Sequence, residues 1–499
     1  MDMLPYLILV KELNSRHHGI LIIMNKSIKS KVLNGVLWGS SEKFIAQLVN
    51  FSLMLYLSYR LTPSDFALIG LVNIFIIFAD TLSTTGVSSF LIHKGNDSKN
   101  NYFPPAFFLS LTTSGFIVLV ILLCNSLIAS YFGDESLLTI IPFMLTSVIL
   151  NSVSSVYRSE ILIKLGFSFV SKVAILSNVF SAIIGFLLAY YGVGYWALAS
   201  LPVIRSVIVF ICFSTSSELQ FKIDTNIEKI KEIYSFGYKV LLSGVIVIIS
   251  NGLVVLVGSR VLNSEEVGLY SLALSYVTFF SSTIGLLIQK ITYPLLSNLK
   301  KEKNLYDFSL EKVIFFTSLI SLPCMVGIAA ISEDFVYVFL DDKWKAMFSI
   351  MIFLSFSKAF WPITAVNTNI YNSLGFPSLT LYNDLFKLIL TFFVVLLFID
   401  SGLFKVSLWQ FLISILFFLF SAFLSGKVSR FGIKRQLKII LPSVISSVVM
   451  FLVVFCIDLD NMYVQLFSKI IVGGFLYSIL MFFPVRRVMR QGYKDDCFI

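Results

Sequence analysis

The sequence predicts an all-α integral membrane protein, with about fourteen transmembrane helices forming two pseudo-symmetric six-helix bundles and two additional C-terminal helices. Three observations lead there. Of 499 residues, 57% are hydrophobic and 13% charged, whereas soluble domains carry about 25% charged residues. Apolar stretches of about 20 residues, the length that crosses a bilayer, recur along the chain. The connections between them alternate between Lys/Arg-rich and Lys/Arg-poor, the positive-inside signature of a polytopic topology.

The candidate spans in the first half are 33–59, 65–91, 105–128, 137–160, 169–191 and 194–214. Those in the second half are 235–258, 267–297, 310–331, 346–373, 377–399, 404–426, 437–457 and 462–484. The even-numbered connections hold Lys94 and Lys99; Lys164; Lys222, Lys229 and Lys231; Lys300, Lys301 and Lys303; and Lys427, Arg430, Lys434 and Arg435. The tenth, at Asn372 to Phe376, is too short to carry a bias. The odd-numbered connections are poorer in cations and hold acids such as Asp134, Glu135, Glu265, Glu333, Asp334, Asp458 and Asp460. With Lys26, Lys29 and Lys31 ahead of the first span and Arg486, Arg487 and Arg490 after the last, both termini are expected in the cytoplasm.

The chain also repeats itself. Leu61-Thr-Pro-Ser-Asp-Phe-Ala-Leu-Ile-Gly-Leu71 aligns with Leu262-Asn-Ser-Glu-Glu-Val-Gly-Leu-Tyr-Ser-Leu272, 201 positions later. Each copy follows the first span of six, so the two bundles enter the membrane with the same orientation. The expected units are a basic cytoplasmic tail (1–30), an N-terminal bundle (31–214), a cytoplasmic linker (215–234), a C-terminal bundle (235–426) and two further helices with a basic tail (427–499). The apolar run Pro5 to Val10 is shorter than the core of a cleavable signal peptide, and Met24 offers an alternative start.

Several classes are disfavoured. The formal net charge of +10 comes from cations set between apolar runs rather than from a solvated patch, so it reports orientation and no nucleic-acid partner. The five Cys form no Cys-x-x-Cys pair, and the three His, at 17, 18 and 93, offer no zinc spacing. No phosphate-binding Gly-x-x-x-x-Gly-Lys-Ser/Thr loop is present. Cofactors, metal sites and catalytic residues are therefore not expected. Asp458-Leu-Asp460 matches a glycosyltransferase Asp-x-Asp only by chance, in a very short external connection.

Ionisable groups inside apolar spans cost several kcal/mol when they face lipid, so they usually face a cavity or a partner. Arg205 and Lys358 stand mid-span, beyond snorkelling reach of a helix end. Lys43, Lys387, Lys239, Arg158 and Lys290 complete the candidate cations of a substrate path, although Arg158, Lys172, Lys239 and Lys290 are also near enough to span ends to reach headgroups. Glu42, Asp80 and Asp384 are the candidate coupling-ion carboxylates. Asp384 and Lys387 are three apart on one helix face and could instead neutralise each other. Centrally placed cations are at least as prominent as anions, which favours an anionic group crossing the membrane.

Gly35-Val-Leu-Trp38 with Glu42-Lys-Phe, Leu61-Thr-Pro-Ser-Asp-Phe66, Gly86-Val-Ser-Ser-Phe-Leu-Ile92, Arg158 with Gly166-Phe167, and Gly192-Val-Gly-Tyr-Trp-Ala-Leu198 follow one another in the first half. In that order they resemble the polysaccharide exporters of the MOP superfamily, specifically Wzx-type O-antigen and capsule flippases. Ala67 and Thr85 depart from the family's usual Gly after Phe and Asp before the second-span glycine. The resemblance implies translocation of an undecaprenyl-pyrophosphate-linked oligosaccharide from the cytoplasmic to the outer leaflet of a bacterial plasma (inner) membrane, coupled to H+ or Na+. It further implies association with a polysaccharide polymerase and a chain-length regulator. The alternatives are a multidrug/cation antiporter of the same superfamily, or a membrane glycan polymerase, which would need a larger external loop than Ser332 to Lys345.

Overall fold

The computed structural model describes residues 26–95, 102–219, 221–299 and 303–495. They form helices throughout, with no strand among the described residues. In chain order these are α1 (Lys26–Arg60), α2 (Pro63–Lys94), α3 (Phe103–Leu123), α4 (Asn125–Phe132), α5 (Leu137–Ile163), α6 (Phe167–Tyr190), α7 (Trp196–Ser216), α8 (Ile227–Val261) and α9 (Ser264–Leu299). Then come α10 (Lys303–Ala330), α11 (Ser332–Phe339), α12 (Met347–Ala359), α13 (Trp361–Leu374), α14 (Pro377–Phe398), α15 (Leu403–Val428), α16 (Ile433–Phe455) and α17 (Met462–Asp495).

Every expected span coincides with a helix or a broken pair of helices. By length and composition, however, twelve helices among the described residues are able to cross a membrane, with α12 and α13 together as one of them. The two long helices outside that set, α1 and α14, are those carrying Glu42 with Lys43 and Asp384 with Lys387. The tenth span is interrupted at Phe360, because Pro362 cannot continue the α12 hydrogen-bond ladder and instead sits in the first turn of α13. The polar 215–234 segment is only partly a connection: α8 begins at Ile227, with Asn226 accepting from the Glu228 and Lys229 amides as its N-cap.

The first copy of the repeated motif has a local physical cause. Thr62 and Asp65 form a reciprocal capping box: the Thr62 amide donates to Asp65 Oδ2 at 2.8 Å and the Asp65 amide to Thr62 Oγ1 at 3.3 Å. Pro63 occupies the first turn, where its missing N–H costs nothing. The Gly192-Val-Gly194 turn likewise needs its glycines, at φ 73° and 66°.

The two copies of the repeat meet face to face. A Cβ at Gly268 would lie 1.9 Å from the Pro63 carbonyl oxygen, and one at Gly70 would lie 2.8 Å from Ser271 Oγ. Gly268 and Ser271 are the repeat counterparts of Ala67 and Gly70. The close approach of α2 to α9 thus depends on small residues. At the same end the indole of Trp344, fully buried, donates to the Ser58 carbonyl at 2.9 Å and meets the Phe66 ring edge-on. This is the Trp344 end of the molecule, and the opposite end bears Lys94, Lys164 and Lys427.

From the Trp344 end α2 and α8 run antiparallel in contact, with Ile74 against Gly252 and Thr81 against Gly244. Helix α16 packs on α10, and α17 on α16 and α11. Buried polar pairs fix these last helices: Asn367 and Gln436 exchange side-chain hydrogen bonds of 3.1 and 2.8 Å, and Lys469 pairs with Asp334 at 2.8 Å.

Candidate substrate path

Arg205 on α7, Lys358 on α12 and Lys387 on α14 occupy one level. At ~1.5 Å per residue, each lies roughly 14–17 Å along its helix from the Trp344 end. All three are deep among the helices, yet each keeps part of its side-chain surface uncovered. None has a carboxylate within ion-pair distance among the described residues. Arg205 Nη2 donates to Asn50 Oδ1 at 3.4 Å, and its Nε is buried without an acceptor. Lys387 Nζ donates to Asn251 Oδ1 at 2.8 Å and faces the Phe417 ring at 5.9 Å. Lys358 lies within Coulombic range of Lys387, and Ser281 of α9 donates to its backbone carbonyl at 3.2 Å.

The carboxylates divide differently. Glu42 accepts from Ser171 of α6 at 2.7 Å, and Asp384 from Ser243 of α8 at 3.0 Å. Asp80 is half-buried beside Asn151, with its buried Oδ1 lacking a hydrogen-bond partner among the described residues. Asp384 and Lys387 share a helix face and lie within Coulombic range of each other, while each also hydrogen-bonds its own α8 residue. Arg158 is exposed on α5, in keeping with reach toward headgroups. The side chains of Lys43, Lys239 and Lys290 lie outside the described residues.

Asn50, Asn251, Ser171 and Ser243 were not selected by searching for charge. The repeat offset finds two of them: 201 positions carry Asn50 to Asn251 and Glu42 to Ser243. The two halves therefore present the same polar positions on α1 and α8, with the acid and the hydroxyl exchanged between the first helix and its neighbour.

At the same level Phe51 of α1, the neighbour of Asn50, is ringed by Tyr276, Phe279, Phe280 and Phe335, with centroids 5.6, 4.9, 5.9 and 6.2 Å away. Gln47 Nε2 donates to Ser282 Oγ at 3.3 Å just below. An aromatic cluster that joins the two repeats thus lies beside the residues that hold Arg205 and Lys358.

The family model for polysaccharide biosynthesis proteins matches residues 57–349, more than half of the chain. The chain belongs to this family. Among its relatives, an uncharacterized membrane protein of the cps region of Klebsiella pneumoniae is 22% identical over 64% of the chain and 66% of its own length, so the chain spans just under two thirds of it. The teichuronic acid biosynthesis protein TuaB of Bacillus subtilis is 20% identical over 87% of the chain and 90% of its own length. The lipopolysaccharide biosynthesis protein WzxC of Escherichia coli is 18% identical over 65% and 66%. Among solved structures, the lipid II flippase MurJ in an inward closed conformation superposes with a TM-score of 0.75 at 16% identity, covering 91% of this chain and all of that one. A multidrug resistance MATE transporter of the MOP superfamily, inward-facing, gives 0.60 at 14% identity over 78% and 95%. The fold is that of MOP-superfamily transporters, and the chain is a multi-pass membrane protein of polysaccharide biosynthesis.

Proposed function

We propose that the chain is a flippase for an undecaprenyl-pyrophosphate-linked oligosaccharide, an O-antigen or capsule repeat unit, moving it from the cytoplasmic to the outer leaflet of a bacterial inner membrane. The observation that carries this reading is the level of Arg205, Lys358 and Lys387, three mid-depth cations with no carboxylate within ion-pair distance among the described residues. A pyrophosphate in hydrocarbon bears a Born cost of order tens of kcal/mol, which fixed cations in a hydrated path offset. The polyprenyl tail stays in lipid while the head crosses between an N-terminal bundle of α1–α7 and a C-terminal bundle of α8–α15.

In this reading the Lys94 end faces the cytoplasm, as the positive-inside bias supports. Glu42, Asp80 and Asp384 are the groups offered for coupling to H+ or Na+. A polymerase and a chain-length regulator receive the product. The reading is tested by deleting the gene and analysing surface glycan together with lipid-linked intermediates. Loss of the glycan with accumulation of the intermediate on the inner leaflet is expected. An unchanged glycan and no accumulation overturn it.

A further inference from the structure

At the Lys94 end, α15 and α16 are joined by a tight turn in which Gly426 and Gly432 touch: a Cβ at Gly426 would come within 2.8 Å of the Gly432 Cα. Ser429 shapes the turn by accepting from the Phe431 amide at 3.1 Å. A cleft of about 440 Å³ opens beside it, lined by Phe423, Lys427, Arg430, Lys434 and Arg435 with the two glycines. Its cations differ in commitment. Arg435 is bound to Glu311 at 3.1 Å and lies 4.0 Å over the Phe431 ring. Lys427 lies 4.8 Å over the Phe423 ring. Arg430 and Lys434 are exposed, with neither an ion pair nor a hydrogen-bond partner among the described residues. The cleft thus carries uncompensated positive charge at the mouth of a helix pair. The N-cap of α16, Gly432, has no side chain to satisfy the first-turn amides.

We propose that this cleft binds the phosphate headgroup of an anionic phospholipid, apart from any path for the transported molecule. Basic pockets between membrane helices suit phosphate esters, because attraction to the anionic leaflet adds to the local contacts. A lipid is favoured over free phosphate by what adjoins the cleft. Phe423, Leu437, Leu441 and Ile445 are all exposed and continue from it along α15 and α16, giving acyl chains a surface directly below the headgroup. The reading of transport above bears on this only in naming the leaflet as cytoplasmic.

The test uses the delipidated full-length protein and native mass spectrometry with phosphatidylglycerol, phosphatidylcholine or inorganic phosphate. Retention of phosphatidylglycerol but not phosphatidylcholine is expected, and R430A/K434A should weaken it about thirtyfold, roughly fivefold per charge. R430K/K434R should keep it, as should K438A, whose lysine lies outside the cleft. Phosphatidylglycerol binding unchanged in R430A/K434A overturns the site. Equal retention of both lipids, or displacement of phosphatidylglycerol by equimolar inorganic phosphate, overturns the lipid assignment.

Discussion

Asn50 and Asn251 stand 201 positions apart, as the two copies of the repeat do, and each accepts a hydrogen bond from a cation on another helix. Arg205 reaches the first at 3.4 Å and Lys387 the second at 2.8 Å. An amide oxygen holds a cation without cancelling its charge, which a carboxylate at the same place would do. Substitution with Asp should therefore harm transport more than substitution with Ala, although Asp is the closer isostere. Accumulated lipid-linked intermediate in strains carrying N251A or N251D measures this. A milder effect of N251D shows that Lys387 works as half of a pair.

Arg205→Ala and Lys358→Ala should each slow translocation on the order of tenfold, about 1.4 kcal/mol in the barrier. Membrane insertion and thermal stability should be unchanged, because neither side chain holds a partner by an ion pair among the described residues. Surface glycan in a deletion strain is the readout, and normal glycan with both variants removes the cationic path from consideration.

Gly268→Ala places a methyl group against the Pro63 backbone. Overpacking of this kind costs about 1–3 kcal/mol. Gly70→Ala should cost less, since its nearest neighbour is the movable Ser271 hydroxyl. Thermal unfolding of the two variants in detergent ranks them.

The Lys469–Asp334 pair is buried on both sides, and Gln465 also donates to Asp334 at 2.6 Å. Lys469→Met strands a carboxylate and should destabilise by about 3–5 kcal/mol, while D334L/K469M should regain most of the loss. A double-mutant cycle on unfolding free energy decides whether the pair acts as a unit.

Glu232 at the start of α8 takes hydrogen bonds from Lys94 at 2.6 Å and Tyr102 at 2.7 Å, and these hold its carboxyl below the ordinary 4.5. A depressed folded value means that the contact stabilises fully above pH about 4.5 and fades as the pH falls through the lower folded value. Glu232→Gln should flatten the acid limb of a stability–pH profile. An identical limb in the variant excludes this contact as its source.

Much of the architecture was legible because hydrocarbon leaves the backbone few options, so each apolar stretch had to be a helix. The break at Phe360 was equally present in Pro362, but a hydropathy window averages over a single proline. Within the site, Arg205, Lys358 and Lys387 stood out because charge in an apolar run is conspicuous. Asn50 and Ser243 did not, since neutral polar residues are common inside membrane bundles and their role appears only when the helices are assembled. Lys469 escaped notice because it lies two turns from a helix start, where snorkelling is the ordinary reading, and its acid arrives from the distant α11.

The Trp344 indole, sealed against Ser58, supplies the molecule with its own optical probe. Any rearrangement that parts the two repeats at that end has to draw the ring out of its pocket and break its N–H bond. In a variant with the four other tryptophans replaced by Phe, its emission would move to longer wavelength in step with that opening, so the gating equilibrium can be followed without an attached dye.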